Sequence, residues 1–235
     1  MSVKVSCKRQ MNNQIKAVLF DFDGTLTRPG SLDFGTIREA IGAPAGLPIL
    51  EYIASLAPGK ARDRANRILE QHEREAAEHS RPNPGAEALV VHLKKRKIKL
   101  GILTRNSLVS IRTALRNFRR IRETDFDAIV TRHDAARPKP SPDGVRLAAR
   151  KMRIAPGTML VVGDYVFDIE AGRRAGARTA FLVSATTKHF PDPPADMTVK
   201  TLTELKRFIP TTRRLTDRAT TNSLNHQELL EIKES

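Results

Sequence analysis

An apolar run at residues 17–20 stops at Asp21-Phe22-Asp23-Gly24-Thr25, which places two carboxylates two positions apart with a glycine directly behind them. Side chains on a strand alternate between faces, so Asp21 and Asp23 point to the same side at the strand's carboxyl end. Like charges held that close need a cation beside them or a shared proton. Gly24 lets the chain turn tightly and bring N–H groups toward an anion. A metal ion, a phosphate group and a carboxylate nucleophile all fit such a corner. Three more pieces lie downstream: Thr104 followed by Arg105 and Asn106, Lys139 within Arg137-Pro138-Lys139-Pro140, and Asp164 and Asp168 within Gly163-Asp164-Tyr165-Val166-Phe167-Asp168. Prolines on both sides hold Lys139 on a stiff segment, which an ordinary surface lysine does not need. Plainer readings exist, with Asp164 as a helix N-cap and Asp21 and Asp23 as loop caps. They would all have to hold together.

Stepping along the chain, residues 16–20 read as the first strand. A charge-balanced helical region follows. Leu32, Phe34, Ile37 and Ile41 share one helical face, with Asp33 as cap, and Pro48 opens a helix over 49–56. Ala61, Ala65, Ile68, Leu69, His72 and Ala76 recur at helical spacing over 60–79, and Pro-Asn-Pro-Gly then marks a boundary near residue 84. His72 and His79 and the arginines of this region read as ordinary packed or surface groups. Beyond it, helices are expected at 85–96, 107–118, 141–151 and 169–175. Strands are expected at 98–103, 126–130, 159–162 and 179–183. Such alternation predicts an α/β fold, a Rossmann-like parallel sheet with helices on both faces. Ligands of such sheets bind beyond the carboxyl ends of the strands. Asp21, Thr104, Lys139 and Asp164 all fall at those ends or in the loops beside them. Residues 210–235 read as a tail with a short helix around 224–232, and no internal repeat is present.

The four pieces, in this order and at these strand ends, resemble the haloacid dehalogenase superfamily. The likeness is to its Mg²⁺-dependent branch, phosphoglycolate-phosphatase-like with a small helical cap, and it covers residues 16 to about 183. The resemblance implies a phosphatase acting on a small phosphorylated metabolite. Asp21 would be the nucleophile that forms an aspartyl-phosphate. Asp23 would act as acid and then base, its backbone carbonyl also binding metal. Thr104, Gly24 and the N–H groups near Arg105 and Asn106 would hold substrate oxygens, and Lys139 would offset the developing negative charge. Asp21, Asp23, Asp164 and Asp168 would form the Mg²⁺ site, with Asp168 acting through water or by steadying Lys139. The branch pattern implied by Asp23 is transfer to water or to a sugar hydroxyl, so a sugar phosphomutase is the alternative on the same scaffold. Residues 1–27 and 85–209 would be the catalytic core and 28–84 the cap. Two positions depart from the pattern. Tyr165 stands where a small hydroxyl residue is usual, and Arg105 where a small or amide residue is commoner; Arg105 either contacts a substrate anion or points outward.

The 235 residues carry 41 Lys and Arg against 26 Asp and Glu. Residues 85–209 hold 25 of those cations against 12 acids, which accounts for 13 of the 15 net positive charges. The excess gathers at residues 94–99 and 112–122. It would favour anionic substrates and weak electrostatic contact with nucleic acid, the ground for a less favoured non-catalytic reading. A solvated basic helix face is the plainer account, and two Tyr with no Trp leave few stacking platforms. No apolar run approaches the roughly 20 residues that span a bilayer, and the basic start lacks the apolar stretch of a secretory signal. The single cysteine, Cys7, excludes an internal disulfide framework and fits a reducing, cytoplasmic setting.

Overall fold

The computed structural model describes residues 15–185 and 187–209. Six strands form one parallel sheet in the order β3-β2-β1-β4-β5-β6: β1 Ala17–Phe20, β2 Lys99–Leu103, β3 Ala128–Val130, β4 Met159–Gly163, β5 Arg178–Leu182 and β6 Met197–Val199. β1 is fully buried because its two faces feed two separate cores. Val18 and Phe20 pack with Leu89, Leu93 and Ile111 on one side, while Ala17 and Leu19 pack with Val145, Ala148 and Ala171 on the other. A buried strand of this kind reads as a continuous apolar run. The helices that cover these faces are α4 Ala86–Lys95 and α5 Leu108–Leu115, and α6 Asp143–Met152 and α7 Val166–Ala175.

The chain builds outward from β1 to β2 and β3, then returns to place β4 on β1's other side, with Phe20 in register with both Ile102 and Val162. The order therefore reverses at β1, where parallel sheets open a crevice beyond the strand ends. Asp21 continues the ladder by one bond, its N–H donating to Val162 O at 2.8 Å.

Between β1 and α4 the chain leaves the sheet and returns along a paired stem. Thr27 bridges Pro82, Arg28 N donates to Arg81 O at 2.9 Å, and Asn83 N donates to Leu26 O at 2.8 Å. The excursion contains α1 Phe34–Ile41, α2 Ile49–Ser55 and α3 Lys60–His79, closed around a third, smaller core of Ile37, Ile49, Ile53, Ala65 and Leu69. Asp33 caps α1 as expected, accepting from Gly35 N and Thr36 N at 2.9 and 3.1 Å.

Three details differ from the sequence expectations. α7 begins at Val166 rather than 169, because the Asp168 carboxylate accepts from Tyr165 N at 3.1 Å and secures the first turn. β6 and a 3₁₀ turn at Leu202–Arg207 were not anticipated, being too short to show periodicity. On α3 the buried stripe is Ala65, Leu69, Glu73 and Ala77, so Glu73 lies inward where His72 was expected. The helix anticipated at 224–232 lies outside the described residues. Several cations of the basic excess have acidic partners on the surface: Lys94 with Asp125, Lys99 with Asp127 at 2.6 Å, and Arg112 with Glu123 at 2.8 Å. Among the described residues, no helix is long and apolar enough to cross a membrane.

Candidate active site

Four loops meet beyond β1, β2, β3 and β4. After Asp21 the five residues Phe22–Leu26 form a helical turn broken at Asp23 (φ −77°, ψ 125°) and Gly24 (φ +81°, ψ −18°). Positive φ alone favours glycine at 24. Space decides it as well, since a Cβ there would lie 2.3 Å from Asp164 Oδ2. Asn83, from the return arm of the stem, holds this turn by donating to Gly24 O at 3.2 Å and Thr25 O at 3.0 Å. Thr25 in turn donates its hydroxyl to Asp164 Oδ1 at 2.9 Å. Gly163 works in the same way: a Cβ would lie 2.2 Å from the Asp168 carboxylate carbon.

Lys139 is the centre of the charge arrangement. It is 5% exposed, and its Nζ donates to Asp21 Oδ1 at 2.5 Å, Asp168 Oδ1 at 2.6 Å and Leu103 O at 3.0 Å. All three ammonium donors are thus matched. Burial alone would lower the lysine pKa, but the Asp168 and Asp21 carboxylates outweigh it and hold the group charged. Oxygen atoms of Asp21, Asp164 and Asp168 lie within 4.8 Å of one another. Against these three carboxylates Lys139 brings one positive charge. Burial therefore pushes Asp21 well above its ordinary value despite Lys139, with the Asp168, Asp164 and Asp23 charges adding to the rise. Burial and the Asp168 charge lift Asp164 to about 6. A buried, all-oxygen, electron-rich cluster of this kind is what a hard divalent cation needs. The donor set fits Mg²⁺.

The carboxylate of Asp23 stands apart from that cluster. Its Oδ2 accepts from Asn106 Nδ2 at 3.1 Å. Burial raises its pKa, opposed first by the Asn106 hydrogen bond and then by Lys139. Asn106 N donates to Thr104 Oγ1 at 3.0 Å, which fixes the loop after β2. Thr104 itself is buried. Arg105 does not point into solvent: its guanidinium pairs with Glu51 on α2. Glu51, Asn83 and Asn106's contact with Asp23 carried no sequence signal, because each joins segments far apart in the chain. A second link was also missed. Arg132, in the loop after β3, pairs with Glu73 of α3, and both side chains are under 10% exposed.

A family model described as haloacid dehalogenase-like hydrolase matches residues 15–176. The chain belongs to that family. It is similar to an uncharacterized hydrolase of Saccharomyces cerevisiae, 37% identical over 177 residues covering 74% of this chain and 80% of the relative. An N-acetylmuramic acid 6-phosphate phosphatase of Pseudomonas putida is 32% identical over 189 residues, covering 71% of this chain and 82% of the relative. Among solved structures, CbbY from Rhodobacter sphaeroides in complex with phosphate is similar at a TM-score of 0.65 and 26% identity, covering 82% of this chain and 96% of that one. As a haloacid dehalogenase-like hydrolase, the chain carries its candidate catalytic groups at the reversal point of the sheet.

Proposed function

We propose that this hydrolase is a Mg²⁺-dependent phosphatase that cleaves a phosphate monoester of a small metabolite through an aspartyl-phosphate on Asp21. The observation that carries the reading is the Lys139 ammonium, buried between Asp21 and Asp168 with Asp164 beside them. A surface ion pair has no need of that burial or of a third carboxylate. The phosphatase named among the relatives and the phosphate-bound structural neighbour support the same reading.

In this scheme an Asp21 oxygen attacks phosphorus, and the bond from phosphorus to the leaving oxygen breaks. Asp23 delivers its proton to that oxygen; burial raises its pKa, the direction a proton donor needs, and Asn106 orients it. Water then attacks the phosphorus of the aspartyl-phosphate while Asp23 takes the water's proton. Phosphate departs and the Asp21 carboxylate is restored. Lys139, the Thr104 hydroxyl, Gly24 and the backbone around Arg105 and Asn106 offset and hold the charged oxygens. The Asp21, Asp164 and Asp168 carboxylates and the Asp23 carbonyl would hold the Mg²⁺ ion, which supplies charge that shields Asp21 from the incoming phosphate. Residues 28–84 act as a cap that closes over the corner and excludes water, with 1–27 and 85–209 as the catalytic core. The setting is the reducing cytoplasm.

A panel of phosphorylated metabolites, assayed for inorganic phosphate with Mg²⁺ and with a chelator, tests the reading. Mg²⁺-dependent release that falls to background in Asp21→Asn is the expected result. Release that survives Asp21→Asn excludes the nucleophile. Isomerisation of a sugar phosphate without net release makes the protein a phosphomutase.

A further inference from the structure

Tyr165 is one of the two positions where this chain departs from the pattern of its family, and the ring there is not packed away. It directly follows Asp164 and is 45% exposed. Its ring meets Phe167 edge-on, with 4.9 Å between centres and 87° between planes, and meets His189 at 6.5 Å and 86°. Phe167 in turn carries the Arg105 guanidinium 5.2 Å from its ring centre. A line of π groups thus runs from the residue after Thr104, through Phe167 and Tyr165, to the stretch after β5. There His189 is followed by Phe190, which is 64% exposed and tilted against Phe181 at 5.9 Å. These groups come from the segments that leave the carboxyl ends of β2, β4 and β5, the end of the sheet where the carboxylates gather. Single exposed apolar side chains are ordinary on protein surfaces. A continuous line of rings that begins beside the candidate phosphate loop is a different thing.

We propose that Tyr165, steadied by Phe167, packs against an aromatic ring carried by the substrate's leaving group. The proposal rests on the phosphatase reading above and narrows its substrate class to phosphate monoesters of alcohols that bear an aryl ring or a nucleobase.

Placement, rigidity and free area all suit Tyr165 to that role. Its Cα stands about 3.8 Å from that of Asp164, and the Asp164 carboxylate lies within 4.8 Å of Asp21's. The phenol side chain therefore starts roughly one leaving group's length from the corner where phosphorus would be held. Its backbone is fixed, since Tyr165 N donates to the Asp168 carboxylate at 3.1 Å. The Phe167 contact restrains the ring, which has only two side-chain torsions to lose, so little ordering is left for binding to impose. Neither of its ring contacts is a parallel stack, and nearly half of the residue stays open to a further ring. The small hydroxyl residue usual at this position could offer a hydrogen bond but no such surface.

A matched pair of esters isolates the ring: benzyl phosphate and cyclohexylmethyl phosphate, both esters of primary alcohols and close in size. The readout is the ratio of their kcat/KM values in the parent, Tyr165→Leu and Tyr165→Phe. Intrinsic reactivity cancels, because the same two esters are compared across variants. Leucine and cyclohexyl keep apolar contact, so the cycle reads the ring–ring contribution alone. Tyr165→Leu should lower the ratio by about 2–10-fold, the usual size of an aromatic pair beyond its burial. Tyr165→Phe should restore it to within twofold of the parent. Adenosine 5′-monophosphate against ribose 5-phosphate asks the same of a nucleobase: a Tyr165-dependent ratio in this pair assigns a nucleoside, and one confined to the first pair assigns an aryl group. Calorimetry of the Asp21→Asn protein with each pair reads the preference in Kd without turnover. A Tyr165-dependent preference there, in a parent that hydrolyses none of the esters, upholds this inference and removes the phosphatase reading. Turnover with both ratios unmoved by Tyr165→Leu removes this inference alone. Equal loss of both esters of a pair in that variant also overturns it, since the residue then serves only to position Asp164. A ratio that falls as far in Tyr165→Phe as in Tyr165→Leu assigns the effect to the hydroxyl and overturns it too.

Discussion

The strand-end corner and the helical segment are held together in opposite ways. At the corner, most motif side chains are bonded to a segment distant in the chain: Lys139 to Asp21, Asp168 and Leu103 O, Thr25 to Asp164, and Asn106 to Asp23. Cross-bonding of this density fixes positions to the fraction of an ångström that a transferring group demands. The helical segment instead closes on five buried apolar residues of its own. It reaches the core through the stem, through Arg105–Glu51, through Arg132–Glu73, and through Asn117, whose amide donates to Ala77 O, Glu78 O and Ser80 O. An apolar core tolerates rigid-body shifts that a polar network does not. On the function proposed above, the chemistry belongs to the cross-bonded corner and access to the helical segment that closes beside it.

If that division holds, substitutions in the corner should cost more in rate than their effect on folding explains. Asp23→Asn should lower the steady-state rate of ester hydrolysis by about 10²–10⁴, the usual loss for an acid–base group, with an unchanged circular dichroism spectrum. A rate within twofold of the parent would take the proton-transfer role away from Asp23. Gly24→Ala comes next. Its methyl group would collide with Asp164 at a backbone angle that L-residues avoid, so roughly 2–4 kcal/mol of stability should be lost. Activity should fall more steeply than that loss explains, because the collision displaces a proposed metal ligand. Chemical denaturation beside a Mg²⁺ titration of activity separates the two effects. Retained stability and Mg²⁺ dependence would show that Asp164 has room to yield.

The difference between the regions also explains what could be read from sequence. Asp21, Asp23, Thr104, Asp164 and Asp168 stood out as candidates because strand ends announce themselves, with an apolar run stopping at a polar residue or glycine, and Lys139 because prolines flank it. The parallel sheet followed from the alternation of strands and helices, and α1 to α3 from their spacing and caps. Partners across the interface were not legible. Glu51 looks like a surface acid on a short helix, and only the fold brings it to Arg105. Glu73 shows why periodicity misled on α3: an apolar tally skips a glutamate, so the inward stripe was drawn through His72. The strict four-residue spacing of Ala65, Leu69, Glu73 and Ala77 was available as a signal, but burial of a glutamate makes sense only once Arg132 is seen opposite. β6 was missed for a simpler reason, since three residues cannot show an alternation.

Glu73 offers the finest probe of the boundary between the two regions, with the smallest expected effect. One of its oxygens pairs with Arg132, while the other, Oε2, has no hydrogen-bond partner among the described residues. Burial raises its pKa to about 7 against the pull of Arg132, with the Asp23 charge adding slightly to the rise. Glu70 is the other acid facing Arg132, at 3.9 Å. The sign follows from linkage. A carboxyl whose folded pKa exceeds its unfolded value binds more protons when folded, so its contribution to stability declines as pH rises from the unfolded value near 4.5 to about 7. Glu73→Gln mimics the protonated form and leaves the other acids untouched. The stability of the variant relative to the parent should therefore improve by about 1–2 kcal/mol between pH 5 and pH 8, whatever its absolute level after losing the ion pair. Urea denaturation of both proteins at the two pH values measures it. A relative stability that instead worsens with rising pH would mean that Arg132 keeps Glu73 ionised, making the pair a fixed charge clamp between α3 and the core.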